Sequence, residues 1–351
     1  MFSLVLATAV ASIPLHVNTG NKVGYNIAVS VGGGPERPVL FDTGSTGLWI
    51  YPDAIGKDYT DTGIEVQNRY PSGITYDGTL VYATVDFGNG LKTAKVPVEL
   101  VRSAGCYADH PICPAQAGGY NCPNVRPGPN AGIECLEAGR GLYGHLGGAP
   151  WITPVGTSGH DIFTVLLGIA QPWASSYVVT PGAIEFGVDT SSFTKIPMKR
   201  ATIPLTETIP SGALAWMRTE ITLCYTLGNA MKNECLPTYF DTGASYVEIQ
   251  GDFNIPLQRW ECGRRVPSGM TMQITLPDGT PFDSFQTGDK INWNTVIHGQ
   301  AGITPSIPTL VNLGLTPFNR FEILFDDKNG YVGFKPLAAP ASTGESGCGR
   351  G

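Results

Sequence analysis

Two carboxylates sit in nearly the same short text, 199 positions apart. The first copy reads FDTGSTGLWI, with Asp42, Thr43, Gly44 and Ser45, and the second reads YFDTGASYVEI, with Asp241, Thr242, Gly243 and Ala244. In each, an apolar or aromatic run precedes the aspartate, a Thr-Gly turn follows, and a β-prone stretch lies beyond. That is how a buried strand hands one carboxylate to a tight loop. One such triplet says little, because Asp, Thr and Gly are ordinary turn residues. Two suggest carboxylates brought face to face. Like charges that close cannot both ionise, so the pair shares a proton and offers an acid and a base together. The glycines allow close backbone approach and leave room for a substrate. Ser45 can donate to Asp42, whereas Ala244 is expected to offer Asp241 nothing, and a carboxyl without that donor predicts a pair titrating higher than with a hydroxyl in that place.

The chain that positions these loops has 351 residues, enough for two ordinary domains, and is 42% hydrophobic and 15% charged. With Gly 45 and Pro 28, turns are frequent and long helices disfavoured. A formal net charge of -7 argues against a nucleic-acid surface, and no eighteen-residue apolar run suggests a membrane span. Eight cysteines form no C-x-x-C pair, which predicts disulfides in an oxidising compartment, hence a secreted, extracellular or periplasmic protein. The opening MFSLVLATAVAS has the apolar run of a leader without its basic start, and Ile13-Pro14-Leu15 is expected to begin the first strand.

Alternation predicts two strands between Ser12 and Val31, and Val39-Leu40-Phe41 feeds Asp42. The Gly32-Gly33-Gly34-Pro35 run lacks the spacing of a dinucleotide loop. Residues 64–88 read as a hairpin turning at Pro71-Ser72-Gly73. From 103 to 160 no periodicity shows, four cysteines gather, and His110, His145 and His160 read as exposed loop histidines without metal-ligand spacing. Thr164 to Ala170 reads as a continuous apolar strand, followed by strands at 183–187 and 202–205. In the second half a strand at Glu220–Leu223 opens a hairpin that Cys224 and Cys235 could staple. Further strands are expected at 272–276, 310–314, 321–326 and 331–334, leaving a Gly- and Ser-rich tail after Pro340. The fold class is all-β.

With these residues placed, the chain resembles the pepsin-like aspartic proteases over roughly residues 12–337. Asp42 through Trp49 fit the family's DTG-S-x-x-LW pattern and Asp241 through Ser245 its DTG-[AST]-S pattern. The resemblance implies two β lobes, at 12–198 and 199–340 with a tail at 341–351, and a cleft between them. It implies a peptide-bond hydrolase with Asp42 and Asp241 catalytic, acting on peptides or proteins without metal or cofactor, as a monomer. The apolar-apolar-Gly step that threads under each catalytic loop is expected at Leu166-Leu167-Gly168 and at Asn312-Leu313-Gly314, where asparagine replaces an apolar residue. Tyr70 is the expected flap tyrosine, with Tyr76 as the alternative, and Trp49 is expected to pack near it. Thr43 and Thr242 are expected to tie the loops together. The cysteine-rich stretch exceeds the family's usual length. The lack of a basic stretch before the first strand implies either a mature chain or one made without a zymogen segment, as in bacterial members, which the sparse leader and the GLTPF near residue 315 resemble. Two competing readings use the same residues: a non-catalytic binding or inhibitor-like protein of this fold, and a two-carboxylate glycosidase.

Overall fold

The computed structural model describes residues 11–18, 24–70, 72–106, 113, 115–116, 132–133, 136, 141–154, 160–169, 176–201, 212, 214, 216–217, 221–244, 247–251, 253, 258–260, 263–288, 296–298 and 309–338. Within them the chain is nearly all strand. Two nine-stranded sheets, one from residues 16–148 and one from residues 221–312, are accompanied by a six-stranded sheet. The six-stranded sheet draws on both ends of the chain, running Ala11–Pro14, Ala183–Phe186, Tyr177–Val179, Phe321–Asp326, Tyr331–Pro336 and Thr194–Pro197.

The two large sheets share one internal arrangement. In the first, the strand Gly144–Gly148 lies between Arg37–Asp42, to which it is parallel, and Thr46–Ile50, to which it is antiparallel. In the second, Leu310–Asn312 lies between Met231–Tyr239, parallel, and Glu248–Gln250, antiparallel. A strand threaded this way lies in the interior, so its residues and those of Thr46–Ile50 are buried without alternation. By contrast Gly24–Val31, with one face inward, alternates as its sequence requires. Phe41 and Phe240, the residues before the two aspartates, are fully buried in a core spanning both halves. Each such ring removed from water stabilises the fold by about 3 kcal/mol, which anchors the start of each loop.

Several expectations are corrected. Thr164–Ala170 is not a strand: Val165–Gly168 forms a 3₁₀ turn, with the Leu167 N–H donating to Thr164 O at 3.0 Å. An apolar run without period cannot distinguish a strand from a buried turn. Leu166-Leu167-Gly168 therefore does not thread beside the Asp42 loop, and Leu146-Gly147 does. Nor is 103–160 devoid of strand, because Val96–Cys106 runs into it and Gly144–Gly148 lies inside it. The alternation from Ser12 to Val31 divides between sheets, Ala11–Pro14 pairing with Ala183–Phe186 and His16–Asn18 with Gly24–Val31. The expected strand at 202–205 lies outside the described residues.

Other expectations agree with the structure. Tyr59–Arg69 and Ile74–Ala83 form the hairpin, closed by a Tyr70 N–H to Ile74 O bond of 2.9 Å and turning through Gly73 at φ +88°. Cys224 and Cys235 are cross-strand neighbours joined by a disulfide, and Cys106 bonds to Cys113. No described helix is long and apolar enough to cross a membrane.

Candidate active site

Both aspartates end up at one point. The loop after Arg37–Asp42 places the Gly44 N–H 2.7 Å from Asp42 Oδ1, to which it donates. In the second half the N–H groups of Gly243 and Ala244 donate to Asp241 Oδ1 at 2.8 and 3.1 Å. The two carboxyls act on each other directly, the Asp42 charge pushing Asp241 up. Each leans over the opposite loop's glycine: a Cβ on Gly243 would stand 2.6 Å from Asp42 Oδ1, and one on Gly44 would fall onto the Asp241 carboxyl. The glycines are thus a steric condition of the pairing.

Thr43 and Thr242 lock the loops reciprocally. Thr43 Oγ1 donates to Phe240 O (2.9 Å) and accepts from the Thr242 N–H (3.1 Å). Thr242 Oγ1 donates to Phe41 O (2.7 Å) and accepts from the Thr43 N–H (3.0 Å). Both threonines are fully buried, so each bond is made without competition from water.

The outer oxygens have different partners. His145 Nε2 lies 2.7 Å from Asp42 Oδ2 and 3.0 Å from Ser45 Oγ. The expectation of an exposed loop histidine is therefore wrong for His145, which is buried in the threading strand. On the other side Asn312 Nδ2 donates to Asp241 Oδ2 at 2.5 Å. Its orientation is fixed, because Asn312 Oδ1 accepts from the Gly314 N–H at 2.9 Å. The inference that Asp241 lacks a donor where Ala244 replaces a hydroxyl is likewise corrected: the Ala244 backbone N–H and the Asn312 amide supply two. His160 is half-buried, 2.8 Å from Tyr82 OH, and His110 lies outside the described residues.

These partners separate the carboxyls electrostatically. Burial pushes Asp42 up, but the hydrogen bond and charge of His145, with bonds from Asp241 and Ser45, more than offset it and hold Asp42 well below the usual carboxylate range. Burial pushes Asp241 up too, the neighbouring Asp42 charge adds to that, and the Asn312 amide opposes it without reversing it. The surroundings thus push the two carboxyls in opposite directions, the asymmetry an acid–base pair uses.

Above the site, Tyr70 sets its ring 4.9 Å from that of His145, tilted at 32°, and its hydroxyl bonds to Ser45. Tyr76 takes a different place, stacked on Trp49 at 5.6 Å and edge-on to Tyr70 at 5.7 Å. Trp49 therefore meets Tyr76 directly, and Tyr76 stands between it and Tyr70. Among the described residues no group of three His, Cys, Asp or Glu side chains forms a metal site.

Across 94% of its length the chain superposes on 98% of the aspartic proteinase from Irpex lacteus, with a TM-score of 0.60 and 17% sequence identity. The chain has the pepsin-like fold. Residues 11–132 match the family described as PE-PGRS C-terminal aspartyl peptidase-like domain. The chain is also 36% identical over 81 residues to PE cleavage protein A of Mycobacterium tuberculosis, and 35% identical over 96 residues to the protein of that name in Mycobacterium marinum. These stretches cover 21% and 26% of the chain but only 14% and 17% of the relatives. The resemblance read from the two DTG loops is upheld, and the pepsin-like fold accommodates His145 and Asn312 in its threading strands. Of the two, only Asn312 carried a sequence signal, as a polar residue in an apolar-apolar-Gly step. His145 offered none, because its strand reads as loop.

Proposed function

We propose that this pepsin-fold chain is an aspartic endopeptidase. One observation carries the reading: the buried Asp42 carboxyl and the half-buried Asp241 carboxyl each lean over the other's loop glycine while their surroundings push their acidities in opposite directions. A water between them loses a proton to the ionised carboxyl as its oxygen attacks the peptide carbonyl carbon. The protonated carboxyl gives its proton to the carbonyl oxygen. The tetrahedral species then collapses with cleavage of the C–N bond, the leaving nitrogen taking the first proton and the second returning to its carboxyl. Tyr70, on the hairpin turn, covers the reacting atoms, and substrates are peptides or proteins entering between lobes 12–198 and 199–340. The name of the Mycobacterium relatives, which states a cleavage, supports a peptidase. The two disulfides among the described residues fit an oxidising compartment outside the cytoplasm.

Cleavage of a denatured protein between about pH 3 and 7 tests the reading. Asp42→Asn and Asp241→Asn should each lower kcat by about 10³-fold or more while leaving the melting temperature within a few degrees. A statine-type transition-state mimic should block the wild type. Undiminished cleavage by either variant would remove that aspartate from the mechanism.

A further inference from the structure

The threading strands carry a correspondence that the DTG loops do not. His145 is paired with Leu40, two residues before Asp42, and with Trp49, seven residues after it. Asn312 is paired with Tyr239, two before Asp241, and with Glu248, seven after it. The two side chains thus occupy equivalent stations in the two halves. Each reaches the Oδ2 atom of its own aspartate, at 2.7 Å from His145 and 2.5 Å from Asn312. Leucine and glycine follow both residues. A polar side chain in a fully buried threading strand costs desolvation unless it is bonded, and here both are bonded to the dyad.

We propose that His145 and Asn312 are a matched pair of positioning residues that fix the unequal roles of the aspartates, His145 holding Asp42 as the proton acceptor and Asn312 leaving Asp241 as the proton donor. The inference rests on the peptidase reading and deepens it. An amide brings only a dipole to a carboxylate, whereas an imidazole can bring a dipole or a positive charge. Identical stations with different side chains therefore break the symmetry that two DTG loops would otherwise have.

The groups facing His145 are few. Asp42 comes from the neighbouring strand, Ser45 from the loop beyond it, Tyr70 from the hairpin turn, and Asp241 across the dyad. Glu99, buried on the strand Val96–Cys106, acts on Tyr70 and lies one strand further away. The packed faces of Thr46–Ile50 and Val165–Gly168 contribute no ionisable side chain. Asp42 is thus the anion within hydrogen-bond reach of the imidazole.

Carboxyl ¹³C titration of the two aspartates, which needs no turnover, tests this in wild type, His145→Leu and His145→Gln. Expected in His145→Leu is an upward move of the Asp42 titration by about one pH unit or more, with the acid limb of kcat/KM following it. His145→Gln, which keeps a donor at the same reach but cannot be charged, should move it upward by less. Asn312→Leu should instead raise the Asp241 titration and the alkaline limb, leaving the acid limb in place. A residue that merely fills space would move neither limb selectively. If Asp42 titrates unchanged in folded His145→Leu and His145→Gln, the inference is overturned even where cleavage stands. If the wild type does not cleave, the peptidase reading fails, and the carboxyl titrations still decide whether His145 sets Asp42 apart.

Discussion

At the scale of single residues, the site depends on groups that cannot be exchanged for isosteres. Thr43 and valine have nearly the same shape, yet Thr43→Val would strip a donor from Phe240 O and an acceptor from the Thr242 N–H, both buried. Leaving one buried partner unsatisfied costs about 1–3 kcal/mol, and two are orphaned here. Thr43→Val and Thr242→Val should each lower stability by about 2–4 kcal/mol in denaturant titration, with activity falling beyond what stability explains, since the threonines also set the carboxyl separation. In the double variant the losses should fall short of additive, because each threonine's bonds run to the other's loop. Additive losses would mean that the loops are held by their strands and not by each other. Tyr70 differs in kind. It touches the site from one side only, and its removal should act on turnover more than on folding.

At the scale of elements, the threading strands matter most, and they are where the sequence was least readable. The aspartates, their threonines and their glycines were legible because they repeat. The hairpin around 70 is legible because turn residues separate its two runs, the strands at 321–326 and 331–334 because they are β-prone, and the Cys224–Cys235 staple because it spans a short hairpin. Gly144–Gly148 reads GHLGG, with three glycines in five residues and no β-branched side chain, so nothing local marks it as strand. Its place is fixed by partners about a hundred positions earlier, and single-sequence periodicity cannot see those. Leu166-Leu167-Gly168 is the better local match to an apolar-apolar-Gly step, yet it forms a 3₁₀ turn. The same glycines make the strand testable. A Cβ on Gly147 would fall on the Ser45–Thr46 backbone, whereas one on Gly182 meets nothing within 4 Å. Gly147→Ala should therefore displace the strand that carries His145, costing about 1–3 kcal/mol and about 10²-fold in kcat. Gly182→Ala should be close to neutral, and equal effects in the two variants would contradict the packing of strand against loop.

At the scale of the whole molecule, the buried carboxyls make stability a function of pH. Asp327 is fully buried, and its carboxyl oxygens have no hydrogen-bond partner among the described residues. Burial, helped by the nearby Asp326 charge, pushes it from 3.8 to about 8. Burial also raises Glu99 and Asp241 well above their ordinary range. A carboxyl raised by folding contributes stability that is complete below its unfolded pKa and is lost as pH rises through its folded one. For Asp327 that window runs from about 4 to about 8, at about 1.4 kcal/mol per pH unit within it. Asp42 has the opposite sign, but its loss comes only when pH falls below the ordinary carboxylate range. The sum favours the folded state in acid. Melting temperature should therefore fall from pH 4 to pH 8, and in Asp327→Asn, which has no proton to lose, the fall should be shallower. That variant should be the more stable protein at pH 8 and lose its advantage at pH 4, where the wild-type carboxyl is neutral. A wild-type melting temperature that stays level across the window would show that these carboxyls ionise without cost, and the upward push of burial on Asp241 would lose its physical basis with them.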